Sequence, residues 1–444
     1  MPNAAQQALA LFLIATPAMG LALASPASAQ VPQSAPQTLS LVDAAKLLLQ
    51  NGKLAEAQKA LEAAKPLSAQ DKNEVDFLLG MIALQEHKPK IAIHFFRRIL
   101  VRTPSAVRVR LELGRAFLED KDLDNAERQF RLARAGDLPA AAKTNIDAYL
   151  VAIRQSRQFN YSLSAAVEPD TNINAGPRST SVTLYGLPFV LSPGATEKSG
   201  VGYATDATFD YSPGQGPGLR LRTGGDVDAV VYPDHHFNDV STGLYAGPRY
   251  VAGRWEASVL AVGYERWYGD QFYNRGLGVS APAEYSLTPK IGVTGALSIL
   301  QSTFSAASQQ SGAAVSGGLG LIAILDTQSQ AGVGLSVSHQ GAKDSGYAYT
   351  VSQLSFSYTR DLPGGFTFSA SPAFLTIDYD AALAAFGVTR RDDQWRLSTS
   401  LLNRRIDLYG FTPRLTYTYT QSHSDISLYS YVRNQFEVGL TRAF

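Results

Sequence analysis

GLRLRTGGDVDAVV, residues 218–231, places Leu219, Leu221, Val227, Ala229 and Val231 on one parity and Arg220, Arg222, Asp226 and Asp228 on the other. Successive side chains of a β-strand point to opposite faces, so this segment has one apolar face and one charged face. The same pattern brackets it. In GVGYATDATFDY (200–211), Val201, Tyr203, Ala207, Phe209 and Tyr211 oppose Asp206, Thr208 and Asp210. Further on, Phe411, Pro413, Leu415, Tyr417 and Tyr419 oppose Arg414, Thr416, Thr418 and Thr420.

Fourteen such segments are readable from Phe159 to the end, the first at 159–167 and the last at 433–444, parted by Gly, Pro, Asp, Asn and Ser turns. A soluble sandwich also alternates. Three features favour a transmembrane barrel instead. The segments run well beyond the ~5–6 residues usual for soluble strands. Aromatics gather near segment ends, as at Trp255, Trp267, Tyr268, Phe272 and Tyr273, where interface girdles lie. The strand count is even, as a bacterial single-chain barrel requires.

The last segment, NQFEVGLTRAF (434–444), carries Phe436, Val438, Leu440 and the terminal Phe444 on one parity, with Arg442 beside them. In lipid every backbone donor and acceptor needs a partner, so the last strand must pair with the first. These four residues are the expected lipid-facing, barrel-closing signal.

Before Phe159 the period changes. NGKLAEAQKAL (51–61), EHKPKIAIHFF (86–96) and DKDLDNAERQF (120–130) align at offsets of 35 and 34 residues, the period of tetratricopeptide helix pairs. Small residues recur where paired helices approach closely: Ala45, Gly80 and Gly114 on the first helix, Ala57, Ala92 and Ala126 on the second. Leu61, Phe96 and Phe130 fill the space one turn later. A plain bundle is the alternative, but bundles need no fixed repeat length. Residues 40–157 hold 20 Lys+Arg against 15 Asp+Glu, while 158–444 hold 19 against 23. The basic runs at His94–Arg98 and at Arg108, Arg110 and Arg115 read mainly as solvated helix faces, with docking of an acidic partner or headgroups as the other reading.

LALFLIATPAMGLALA (9–24) followed by Ser25-Pro26-Ala27-Ser28-Ala29 reads as an export signal cleaved after Ala29, although a basic n-region is missing; a buried helix is the alternative. No cysteine follows the cut, so the chain is not expected to be a lipoprotein itself. The organisation expected is a signal peptide at 1–29, a linker at 30–40, a periplasmic helical domain at 41–157 and an outer-membrane barrel at 158–444.

Composition removes several function classes. There is no cysteine, and therefore no thiolate metal site, disulfide or cysteine nucleophile. A net charge of +1 does not suit a nucleic-acid binder. No G-x-S-x-G, H-E-x-x-H or P-loop pattern occurs. No catalytic residue, metal or cofactor is expected. The His235-His236 pair with Asp234 and Asp239 is a weak metal candidate, and His423 lacks a singled-out serine partner. The segment 175–199 reads equally as a plug, a periplasmic hairpin or an extra strand piece.

The whole resembles the Slam family, the surface lipoprotein assembly modulators or modifiers. The stretches that carry the likeness are RLELGRAFLEDKDLDNAERQFRLA (110–133), IDAYLVAIRQ (146–155) leading into FNYSLSAAVEPDTNINAG (159–176), and residues 390–444. The turn Pro169-Asp170-Thr171-Asn172-Ile173-Asn174 and the turn Gly410-Phe411-Thr412-Pro413 weigh most. A structural turn is the plain reading of Pro169, Asp170, Thr171, Asn172 and Asn174, since Pro fixes φ and Asp and Asn bond their own backbone; client contact or gating is the alternative. The resemblance implies an outer-membrane translocator. Its periplasmic helices would capture a client surface lipoprotein or secreted protein, and its barrel would deliver it to the cell surface. Outer-membrane lipid and the barrel-assembly machinery are the other implied partners. The rival readings are an exopolysaccharide export porin with helical repeats and a passive porin.

Overall fold

The structure is a computed structural model that describes residues 40–64 and 68–442. The export signal, nearly all of the linker and Phe444 lie outside the described residues. The chain parts into two compact units at Leu78 and Leu79.

The first unit holds the helices Leu41–Gln50 and Leu54–Ala63 and the start of the helix Ala69–Gln85. Ser40 caps the first of these by accepting the Asp43 N–H at 3.1 Å, which satisfies one of the orphan amides of a helix start. Ala45 and Ala57 are fully buried.

The second unit holds the rest of that helix, then the helices Pro89–Arg102, Val107–Glu119, Leu123–Arg134 and Ala140–Ser156, and every strand. Here small residues meet large ones across the helix pairs. A Cβ placed on Gly80 would lie 2.6 Å from the Phe96 ring, and one on Gly114 2.8 Å from the Phe130 ring. Phe130 in turn stacks on Tyr149 at 4.9 Å between centroids. Each helix pair turns on one left-handed residue: Gly52 at φ 74°, His87 at 55° and Lys121 at 64°. The offsets between them are those of the sequence repeat, yet two of the three positions carry side chains that strain there.

Fourteen strands, counted among the described residues, form one closed antiparallel ring. They are Phe159–Asp170, Gly200–Tyr211, Gly218–Val231, Asp239–Ala252, Trp255–Ser258 continued by Leu260–Tyr268, Gln271–Thr288, Ile291–Phe304, Gly312–Ile324, Ser329–Gln340, Tyr349–Asp361, Phe366–Leu383, Val388–Asn403, Thr412–Ser424 and Tyr431–Thr441. Each pairs with its sequence neighbours, and the last closes on the first. The fifth strand is interrupted at Val259 because Pro248 and Pro282, which lack an N–H, stand in the strands on either side of it.

Alternation separates two surfaces. Leu219, Leu221, Leu244, Leu277, Leu297, Leu319 and Leu335 are exposed on the outside of the ring. An exposed apolar belt of this extent needs lipid around it. At one edge of the ring Trp255 and Tyr285 pack at 4.4 Å, and at the same edge, further round, Phe159 and Tyr161 are exposed. No helix among the described residues is long and apolar enough to cross a membrane. The closed ring with its apolar outer belt makes the strands the crossing elements.

Two substitutions test the helical packing. Gly114→Leu drives carbon into the Phe130 ring and is expected to lower the stability of the helices by about 1–3 kcal/mol. Lys121→Gly relieves the left-handed strain and is expected to raise it by about 1 kcal/mol. Both are read by helical circular dichroism on heating, against unchanged heat-modifiable gel mobility of the barrel.

Candidate functional site

The first strand starts directly after the helix Ala140–Ser156, so one rim of the barrel lies beside the helices. The turns on that rim carry the groups that grip them. The backbone carbonyl of Gln155, near the end of that helix, accepts the Gly216 N–H at 3.2 Å and an Arg220 N–H at 2.6 Å. Lys290 donates to the Ala135 carbonyl at the end of the helix Leu123–Arg134. Cations at helix C-termini complement the carbonyl ends of the dipole.

The centre of this grip is Asp361, at the end of its strand. Its carboxylate accepts from Arg110 at 3.0 Å, from Arg128 at 2.5 Å and from the Thr367 hydroxyl at 2.9 Å. Arg110 is 1% exposed and spends its other donors on the Pro104 carbonyl and on Gln129. Burial pushes the Arg110 guanidinium down to about 10. Nearby Arg404 is pushed down to about 9, by desolvation first and then by the like charge of Arg128. Arg110 is thus no solvated helix face, which corrects the reading of that basic run: a partner 251 residues away lies beyond any local pattern.

The helix Leu123–Arg134 presents Asp124, Glu127, Arg128 and Arg131 to the barrel. With Gln330, Thr359, Ser369, Ser400 and Arg414 of the strands they line a cavity of about 410 Å³. Arg131 reaches Glu284 at 3.7 Å, and Arg157 pairs with Asp124 at 2.8 Å and with Glu127. A charged helix therefore forms the floor of the lumen at this rim.

Inside the barrel the two sides differ. One wall carries Asp206, Asp228, the Arg222–Asp210 ion pair at 2.5 Å with Tyr245 donating to the same carboxylate, and the Arg414–Glu437 pair at 3.2 Å. The other lines a cavity of about 500 Å³ largely with small groups such as Thr294, Ala296, Gly318, Gly320, Gly334 and Ser336.

The seam between the first and last strands is held unevenly. Ser164 to Val167 pair with Thr441 to Val438, and the ladder resumes only at Asp170 opposite Gln435. Pro169, without an N–H, sits in the gap. Pro169 and Asp170 belong to the strand rather than to the turn the sequence suggested; the bend begins at Thr171. At this bend a clasp spans the seam at the far rim. Arg433 donates to Asp170 at 2.8 Å, the Thr171 N–H donates to the Asn434 carbonyl at 3.0 Å, and the Asn172 amide donates to the Val432 carbonyl at 3.1 Å. Asn172 also holds Gly176, while Asn174 donates to the Thr196 carbonyl at 2.7 Å and accepts from the Lys198 N–H. Phe436, Val438 and Leu440 face outward at 44%, 59% and 37% exposure.

The 175–199 segment is the loop after the first strand and lies at the rim opposite the end of that strand joined to the helix Ala140–Ser156, so it is no periplasmic hairpin. It forms a small hairpin, Ser181–Leu184 with Leu187–Val190, whose Tyr185 N–H donates to the Ala385 carbonyl. His236 and Lys198 both bond Asp234, at 2.9 and 2.7 Å, and Asp239 is engaged by Arg266. His423 lies exposed on the outward parity of its strand.

Replacing Asp361 by Asn removes the charge that offsets Arg110 and Arg128, at a cost of about 3–5 kcal/mol to docking of the helices. Hydrogen exchange in the helix Leu123–Arg134 is expected to accelerate while the barrel stays folded. Unchanged exchange would show that these ion pairs do not hold the helices at the rim.

Residues 158–444 match the family described as surface lipoprotein assembly modifier. A protein of that description from Pasteurella multocida is 22% identical over 82% of this chain and 75% of its own length. Surface lipoprotein assembly modifier 1 of Neisseria meningitidis is 24% identical over 84% and 77%. A hemophilin secretion modulator of Acinetobacter baumannii is 22% identical over 86% and 82%. Among solved structures, the outer-membrane channel DcaP of Acinetobacter baumannii aligns at a TM-score of 0.38 with 8% identity, over 64% of this chain and 96% of that one. A FadL homologue of Pseudomonas aeruginosa aligns at 0.37 with 8% identity, over 65% and 91%. The chain is an outer-membrane barrel with its helices on the periplasmic side, and it belongs to the surface lipoprotein assembly modifier family.

Proposed function

We propose that this protein is a translocator: its periplasmic helices, read as tetratricopeptide pairs at 41–157, capture a client surface lipoprotein or secreted protein, and its barrel delivers that client to the cell surface. The observation that carries this reading is the placement of the helix Leu123–Arg134 across the periplasmic mouth, with its charged face on the lumen. A client-binding element that is also the floor of the barrel couples capture to opening. The names of the relatives, which speak of surface lipoprotein assembly and of hemophilin secretion, support clients of either kind.

The lumen fits a passing polypeptide. One wall offers mixed charge, and the other offers glycine, serine and alanine, over which side chains of varied shape slide without a fixed pocket. A sugar exporter would instead present aromatic stacking platforms and charge of one sign. A passive porin has no use for a floor held by buried ion pairs. The family and the barrel fold support a non-enzymatic role. We assign Phe436, Val438 and Leu440, with Phe444, to recognition of the nascent barrel by the assembly machinery, and the Pro169–Asn174 stretch to holding the seam shut at the cell-surface end.

Protease shaving of intact cells tests the proposal. Deleting residues 41–156 is expected to leave a heat-modifiable barrel in the outer membrane while clients encoded beside the gene remain in the periplasm. Undiminished surface display by the truncated protein would remove the capture role, and a loss of solute or polysaccharide passage with normal display would favour the porin readings.

A further inference from the structure

Beside the mouth, between the helix Pro89–Arg102 and the rim turn that follows Asn403, lies an open cleft of about 1010 Å³ lined by seven Lys or Arg side chains and three carboxylates. One of those carboxylates, Asp407, is already engaged by Arg97 at 3.3 Å. We propose that this cleft binds the phosphate-bearing headgroup of an anionic phospholipid of the leaflet that faces the periplasm.

Charge alone does not choose between a lipid and an acidic protein segment; position does. Arg442, which lines the cleft, places its guanidinium 5.1 Å over the ring of Tyr161. Tyr161 belongs to the exposed outward face of the first strand, part of the belt that meets lipid. The cleft is therefore continuous with the lipid-facing surface at the height where the aromatic girdle marks the interface. The turn that walls it carries Ile406, Leu408 and Tyr409 at 44%, 47% and 99% exposure. Tyr409 is held at φ 57°, a left-handed conformation unusual for a bulky residue, and its ring stands clear of the protein. Apolar tips beside guanidinium groups are the arrangement by which a surface enters the interface: the tips meet acyl chains and the cations meet phosphates. Arginine suits the task because its planar fork bonds two phosphate oxygens at once.

A bound lipid here touches both bodies that form the mouth, the helix through Lys90 and Arg97 and the barrel through Arg405 and Arg442. It would tie the helices to the membrane plane on the side of the strand seam. This goes beyond the translocator reading and does not depend on it, since lipid binding is measured without a client.

The test uses the full-length protein, delipidated in detergent, titrated with phosphatidylglycerol or phosphatidylcholine and followed by native mass spectrometry and by tyrosine fluorescence. Phosphatidylglycerol is expected to bind at least about tenfold more tightly than phosphatidylcholine, and Arg405→Gln with Arg442→Gln to remove that preference. Arg405→Lys with Arg442→Lys keeps the charge and is expected to restore most of it. Arg178→Gln, on the far loop, controls for surface charge in general, and heat-modifiable mobility controls for folding. Equal binding of the two lipids, or a preference that survives the double Gln variant, would overturn the assignment. Displacement of phosphatidylglycerol by an oligoglutamate peptide at comparable concentration would overturn it in favour of protein docking.

Discussion

A strand that crosses lipid cannot leave its backbone unpaired, and every other feature of the chain is arranged around that requirement. The ring must close, so residues 159–170 at one end of the barrel sequence must meet residues 431–441 at the other. Closure over so long a separation is entropically late, and the structure supports it from two sides. At the cell-surface rim the bend after Asp170 ties Arg433, Asn434 and Val432 to the first strand. At the periplasmic rim Arg442 donates its N–H to the Leu163 carbonyl. Between them the ladder is interrupted at Pro169.

The same topology puts the helices where they act. Because the last helix runs directly into the first strand, the helical segment has no tether long enough to leave the rim. Its remaining freedom is removed by charge. Asp361 neutralises two arginines, one of them buried, and basic side chains from the barrel, Arg220 and Lys290, cap two helix ends. Buried ion pairs add little net stability, but they specify one geometry strongly and release it when a partner is lost. In the proposed mechanism, a floor held in this way is firm at rest and open to displacement by a competing charged client.

Much of the barrel was legible because period-two alternation with opposite chemistry on the two parities survives without knowledge of partners. The strand GLRLRTGGDVDAVV reads the same in sequence and in structure, from Leu219 outward to Asp228 inward. Boundaries were less legible. The last strand spans Tyr431–Thr441 where the sequence suggested 433–444, and the first spans Phe159–Asp170 where it suggested 159–167. The break at Val259 arises from prolines on the two flanking strands, so it is invisible within its own segment. The mouth was largely illegible. Arg110 looked like one of several exposed helix arginines because Asp361 lies far along the chain, and nothing local marks that carboxylate as different from other strand-end aspartates. The bend from Thr171 to Asn174 was readable as a turn from its residue types, whereas the hold of Asp170 and Thr171 on Arg433 and Asn434 emerges only once the ring is closed.

The proposed translocation through this barrel requires that the helices closing the periplasmic mouth move for a client to pass. The chain has no cysteine, so a lock can be added cleanly. A Cβ on Gly136 would lie 2.9 Å from the Thr327 methyl, close enough for a disulfide, with Val107→Ala making room for it. In cells carrying Gly136→Cys, Thr327→Cys and Val107→Ala, client display at the surface should fail under oxidising conditions and return on mild reduction. Full display with the disulfide formed would contradict the claim that this mouth opens.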